Sequence, residues 1–361
     1  MTGYTLSVAI LAAATVVSCI KYERLAEPVP TQEPQTQEDP WIPVFSDQAI
    51  LFRSNSDEPA TKTALEADFR IYGFYQPGVI GGDPGEWNPL TCTPNFMYDQ
   101  EVTYSAGTWS CSPKKYWPNN EENTLSFWAY SPYIGDDDIL KLYKSNSLDD
   151  YENDVPGIPD MEFTTDGTCD LMVSDLAQDL SYRGGNPADG VVTLEFHHTT
   201  SWVDFRVKKV DDSDHYDIVL KSITLENICQ TATYDLGGWS AGWNRGSFSA
   251  YNCGVGAGTD LDKDEEDRIT FPTGGTKLLL IPQALRYTTA NLEVVYTMRV
   301  HGSGDTPVEY EDNVRLGKIT TLWEEGKHYS YYVNISPGNP IQFTAVAVAW
   351  DSEQNGYFNV N

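Results

Sequence analysis

From about residue 48 to the end of the chain, apolar and polar positions alternate with a period of two, the spacing of a strand with one face buried. Residues 68–75 put Phe69, Ile71, Gly73 and Tyr75 on one face, and residues 124–131 put Leu125, Phe127 and Ala129 opposite Trp128 and Tyr130. The same pattern returns at 191–196, 202–210, 217–225, 292–300, 329–335 and 341–350. Gly-, Asn-, Asp- and Pro-rich clusters at 81–85, 184–187 and 302–305 separate these runs. Many short strands with frequent turns predict an all-β chain of antiparallel sandwiches or barrels. Only residues 170–182 read as mildly helical. The break at 184–189 is the best domain boundary, dividing residues 48–185 from 186–361.

Length and composition narrow the function classes. The 361 residues are 40% hydrophobic and 12% aromatic, enough for sizeable cores, so a wholly disordered chain is excluded. Against 53 Asp+Glu stand 23 Lys+Arg, a formal net charge of −30. Such a surface repels phosphate backbones and anionic headgroups, which argues against nucleic acid as a partner and against electrostatic docking on a membrane.

The first residues read as an address. An apolar run from Leu6 to Val17 is too short to span a bilayer and ends in Val16, Val17, Ser18 and Cys19, which looks like a bacterial lipobox. Residues 1–18 are therefore read as a lipoprotein signal peptide, with Cys19 carrying the lipid; an ordinary cleaved secretory signal is the alternative. No Lys or Arg occurs in residues 1–18, a departure from the usual positively charged start. Residues 19–47, with Pro28, Pro30, Pro34, Pro40 and Pro43 among Gln, Glu and Thr, have no apolar periodicity and read as an extended Pro-rich tether.

The order of the pieces resembles the fimbrillin family, the subunits of type V pili in Gram-negative gut and oral anaerobes. The resemblance starts with Ile50, Leu51 and Phe52 ahead of Thr61, Lys62 and Thr63, then Lys115, Tyr116, Trp117 and Pro118 before Leu125 to Tyr130. It continues through Val192 to His198, Val203 to Val207, Ile223 to Asn227, Leu278 to Gln283, Trp323 to Tyr332 and Val346 to Trp350. The resemblance implies two transthyretin-like antiparallel β-sandwich domains behind the lipoprotein signal and tether. It also implies a surface-exposed place on the cell outer membrane or in a fimbrium, held by the lipid anchor. In that family a trypsin-like protease often removes the N-terminal strand, and a strand of a neighbouring subunit, self or paralogous, fills the gap. Physically, a missing strand bares unpaired N–H and C=O groups above an apolar groove.

Candidate residues for that mechanism are Arg53, which follows a strand-like run, and Lys62 as second choice; Arg70 sits inside a strand. A plain, uncleaved strand-end role for Arg53 is equally open. Ile341, Phe343, Ala345, Val346, Val348 and Trp350 would make a donor strand, or else a strand paired within its own domain.

Motifs that carry chemistry mostly dissolve. Gly238, Ser240 and Gly242 match G-x-S-x-G but lie between strand-like segments with no helix following, so a Gly-rich loop or hairpin is expected and no catalytic residue is assigned. Asp260, Asp262 and Asp264 open like a calcium loop, but Glu265 and Phe271 stand where Gly and Glu are needed. His197 and His198, adjacent on a strand, cannot chelate from one face, and His198 is expected to donate to a backbone carbonyl. No metal site and no cofactor is predicted. Apart from Cys19 five Cys remain; Cys92 with Cys111 and Cys229 with Cys253 are closest in sequence and are candidate disulfides that leave Cys169 over, while five reduced thiols are the alternative. A second reading of the chain is a monomeric, surface-tethered lipoprotein binding a glycan, a host or bacterial surface ligand, through Trp239 and Trp243 in a Gly-rich loop.

Overall fold

The computed structural model describes residues 44–54, 65, 67–78, 94–105, 107–132, 139–143, 157–210, 215–240, 242–261 and 268–350. Cys19, Lys62 and Cys92 lie outside the described residues, as does the lipobox. Apart from one turn of 3-10 helix at Leu316–Lys318, the regular structure among the described residues is β. The chain is all-β, built of sheets packed face to face.

The first sheet runs, in spatial order, Val191–Leu194, Leu51–Ser54, Thr108–Cys111, Met97–Ser105, Phe69–Gln76, Thr124–Ser131, Met172–Ser174 and Phe196–His198. It continues past the turn at 184–189, where the sequence suggested a domain break, because Val192 and Leu194 turn inward beside the N-terminal strand. Ala177–Leu180 also pairs with Thr124–Ser131, so the segment read as mildly helical is two short strands. Helical spacing is hard to tell from strand alternation over so few residues. Strands Phe69–Gln76 and Thr124–Ser131 are buried on both faces, which explains their nearly continuous apolar sequence. Phe69, Ile71, Leu125 and Phe127 enter one core; Tyr72, Phe74, Trp128 and Tyr130 enter another.

A second sheet, Ile269–Phe271, Ser201–Lys209, Lys327–Ile335 and Gln342–Ala349 with Leu278–Leu280 beside it, faces a third. That third sheet is organised on the 20-residue strand Tyr216–Asp235. One end of this strand pairs with Asn291–Val300, and the other pairs with Asp160–Thr164. Val203, Phe205 and Val207 from the second sheet meet Ile218, Leu220, Leu292 and Val294 from the third in the largest core. A further core, with Tyr72 and Trp128 against Phe163, Cys229 and Tyr234, joins residues from both halves of the sequence.

Candidate functional site

Most of the candidate residues lie in the two strands nearest the ends of the described residues. The first described strand begins at Phe45, inside the segment read as tether. Phe45 and Ala49 pair with Pro118 and Tyr116, and the Ile50 N–H donates to the Lys115 carbonyl (2.8 Å). Leu51–Ser54 then lies between two neighbours, parallel to Val191–Leu194 on one side and opposite Trp109 on the other. Alternation sends Ile50, Phe52 and Ser54 inward and Arg53 outward. The Phe52 ring meets Phe127 edge-on at 5.7 Å and Phe69 at 6.1 Å. Beside it the Trp117 indole N–H donates to the Gly190 carbonyl (2.9 Å), with the ring fully buried. Without residues 45–54 the first core would open between Trp109 and Val192 as a slot lined by Phe69, Phe127 and Leu194.

Arg53 sits within this strand, its side chain 45% exposed and paired with Asp189. The Val191 N–H first, and the Arg53 guanidinium second, hold the Asp189 carboxyl below the usual carboxylate range. A protease that cuts here must first lift the strand, because the backbone on both sides of Arg53 is in the sheet ladder.

The C-terminal strand is held differently. Gln342–Ala349 is an edge strand, antiparallel to Lys327–Ile335 from Lys327 opposite Ala349 to Asn334 opposite Gln342. Phe343 and Ala345 lean on the largest core and stay half-buried, and Val346 and Val348 face the other side, also half-buried. Its ends are buried: Ile341 at one, Trp350 at the other. Trp350 stacks flat on His198 (4.0 Å between ring centres), and Trp202 stacks flat on His328 (3.7 Å). Each imidazole is bonded to a carboxylate, His198 Nδ1 to Asp170 (2.9 Å) and His328 Nε2 to Asp204 (2.8 Å). Lys277 Nζ lies 5.2 and 5.3 Å from the Trp202 and Trp350 rings. Through Nδ1, His198 thus pairs with a side chain. The partner, Asp170, is brought in by the pairing of Met172–Ser174 with Phe196–His198.

The remaining sequence candidates fall apart in space. Cys229 lies opposite Arg245, and the Cys253 N–H donates to the Lys221 carbonyl. Eight residues of strand separate those positions, roughly 25 Å, against the ~7 Å that a disulfide tolerates between Cα atoms. Cys111, Cys169, Cys229 and Cys253 are free thiols. Burial, then Asp166 and Asp170, pushes the Cys169 thiol up to about 12, and burial raises Cys229 and Cys111 too, so these three are not ready thiolates. Trp239 packs on Tyr234 and Phe163, its N–H donating to the Thr199 carbonyl (2.7 Å), whereas Trp243 is 42% exposed. Ser240 closes a hairpin, its hydroxyl accepting from the Thr233 N–H (3.1 Å). A side chain at Gly242 would strike Cys229 Sγ at 2.0 Å, so that glycine answers to packing and not to a nucleophile elbow.

Residues 87–350 match the fimbrillin-like family. The chain belongs to that family. Its members are structural subunits of fimbriae and not enzymes. A curated relative, fimbrium subunit Fim1C of Phocaeicola vulgatus, is 24% identical over 205 residues, 54% of this chain and 48% of that one. The chain thus spans about half the length of this relative. The crystal structure of a fimbrial protein from Bacteroides vulgatus has the same fold with a TM-score of 0.63 and 17% identity, over 84% of this chain and all of that one.

Proposed function

We propose that this fimbrillin-like chain is a structural and adhesive subunit of a cell-surface fimbria. In this reading it is exported as a lipoprotein through Cys19, tethered to the outer membrane by residues 19–47, and assembled with other subunits by β-strand exchange. The observation that supports it most is the seating of residues 45–54. The Leu51–Ser54 part fills a two-sided slot, with Ile50 and Phe52 buried, and carries a half-exposed Arg53 on its outer side. Removing it would leave ladder groups and an apolar trough that only another extended chain satisfies. The C-terminal strand is the donor: Val346, Val348 and Trp350 repeat at spacing two, as Ile50, Phe52 and Ser54 do. Whether the subunit is stalk, tip or anchor turns on whether Arg53, or Lys62 beyond it, is cut.

The test is intact mass and N-terminal sequencing of protein released from native outer membranes, with and without a trypsin-like protease. A new N-terminus at Ser54 together with detergent-resistant multimers is the expected result for a polymerising subunit. A lipidated Cys19 terminus that survives protease, on a protein that stays monomeric, would contradict strand exchange. The exposed Trp243 supports the second reading, a tethered glycan-binding protein; sugar affinity of that monomer, lost on Trp243→Ala, would favour it.

A further inference from the structure

Between Gln283–Ala284 and Asn291–Val300 the chain makes a tight turn that presents an aromatic ring to solvent. The Thr288 N–H donates to the Leu285 carbonyl (3.2 Å), so Arg286 and Tyr287 are the two central residues of the turn. Tyr287 has a φ of +64°. Positive φ at the second central position marks a type II turn, where glycine or asparagine belongs. Of the five non-glycine residues at positive φ among the described residues, the other four are Asp or Asn, which tolerate it. The rest of the chain holds this turn in place. Thr288 Oγ1 donates to the same Leu285 carbonyl (2.7 Å), and the Thr321 carbonyl accepts from the Leu285 and Arg286 N–H groups (2.9 and 3.0 Å). Gly317 packs so closely that a side chain there would meet the Leu285 carbonyl oxygen at 2.5 Å. The ring placed by this strained turn is nonetheless 89% exposed. Its one ring contact among the described residues is the Arg286 guanidinium, 4.8 Å from its centre, which leaves the other face open. Strain that the fold itself does not recoup points to a ligand.

Cations gather at this turn, although the chain has 53 Asp+Glu against 23 Lys+Arg. Arg286 is in the turn itself, Lys318 directly follows Gly317, and Arg315 opens the same short segment; all three are exposed. Val314 packs toward the largest core, so Arg315 points away from it. None of the three forms an ion pair among the described residues. Carboxylates on the adjoining strands are turned elsewhere. Glu226 lies across Asn291 from Arg315 and accepts from the Asn291 amide (3.2 Å). Glu293 and Glu311 follow Asn291 along the sheet, in the direction away from the turn. Register also carries Glu324 away, since Leu322 opposes Ala284 and Trp323 opposes Gln283.

An open aromatic face stacks on the apolar face of a sugar ring, and guanidinium and ammonium groups beside it bind carboxylates. We propose that Tyr287, Arg286, Lys318 and Arg315 form a binding site for an acidic polysaccharide whose successive sugar rings each carry a carboxylate. Tyr287 stacks on one ring, Arg286 holds that ring's carboxylate, and Lys318 and Arg315 meet those of the neighbouring rings. At physiological salt, charges more than about 8 Å apart are largely screened, so the overall negative charge of the chain does not keep a short acidic sugar from this corner. The site goes beyond the strand exchange proposed above, does not depend on it, and is separate from Trp243.

Isothermal titration of the full chain with tetragalacturonate at about 150 mM salt tests the site, with a neutral galactose tetramer and a tetraglutamate peptide as controls. Binding of tetragalacturonate alone is expected. Tyr287→Asn should weaken it at least ~10-fold, as for a truncated aromatic anchor. The same variant should melt no lower than the parent, because asparagine suits the turn, so lost binding is not lost folding. Tyr287→Phe keeps the ring and should keep the binding. Arg315→Ala with Lys318→Ala should weaken binding by ~10-fold and flatten its dependence on salt, whereas Trp243→Ala should leave it unchanged. No binding of tetragalacturonate would overturn the proposal, and so would binding that survives Tyr287→Asn. Tetraglutamate bound as tightly would overturn it too, because the corner would then read charge alone and fit an acidic protein segment. None of these readings depends on cleavage at Arg53, so failure here and failure of strand exchange are told apart.

Discussion

The strands at the two ends of the described chain, residues 45–54 and Gln342–Ala349, are built on opposite plans. The first has a partly exposed lead-in, Phe45–Ala49, paired on one side, and then Leu51–Ser54 with neighbours on both sides, and Ile50 and Phe52 are 2% exposed within an aromatic core. The second is an edge strand bonded on one side, half-buried along its middle and fixed at its ends by Ile341 and Trp350. An enclosed strand is a plug whose loss uncovers a specific cavity. An end-pinned edge strand can come away without dismantling the core beneath it, once its pins release. In the strand exchange proposed above, the enclosed strand is the one to be lost and the edge strand the one to be lent.

The largest effect that would sharpen the contrast is Phe52→Ala, expected to cost about 4 kcal/mol because the emptied aromatic site cannot collapse. Urea unfolding measures it, and a loss under about 1 kcal/mol would mean that the strand is no plug. Next is Trp350→Ala, expected to cost about 3 kcal/mol by removing both the stack on His198 and the contact with Trp202. Hydrogen exchange should show protection lost at Gln342–Ala349 while Leu51–Ser54 is unchanged; uniform loss would contradict independent pinning. Smaller again is Val348→Ala on the half-buried face of the edge strand, at about 1 kcal/mol by area. The smallest concerns Asp189, whose carboxyl is held low in the folded state. A depressed folded value means that its stabilisation is present above the ordinary carboxylate range and fades as pH falls through the folded value. Asp189→Asn should therefore cost about 0.5 kcal/mol or less at pH 7, as for an exposed pair, and nothing near pH 2. A pH-independent cost would show that Asp189 acts through the loop and not through charge.

Much of the strand layout was readable because alternation is local. Ile50 and Phe52, and the two faces of Leu125 to Tyr130, follow from period two alone. What escaped depends on partners far apart in sequence. The residues that clamp Trp350 are His198 and Trp202, some 150 positions earlier, and nothing local marks them. The pairing of Cys229 with Cys253 was expected from nearness along the chain, but a long hairpin arm carries the two thiols to opposite ends. Trp239 and Trp243 looked equivalent as loop aromatics; their turn sends one onto Phe163 and leaves the other in solvent.

The most direct test of the plug-and-donor account is peptide complementation of the chain cut after Arg53. A peptide of residues 341–350 and one of residues 44–53 would each be titrated in, with the melting temperature and stoichiometry followed. The account predicts that both peptides bind one to one and raise the melting temperature, and that the C-terminal one competes with the N-terminal one. Binding of 44–53 alone, with 341–350 inert at the same concentrations, would contradict it.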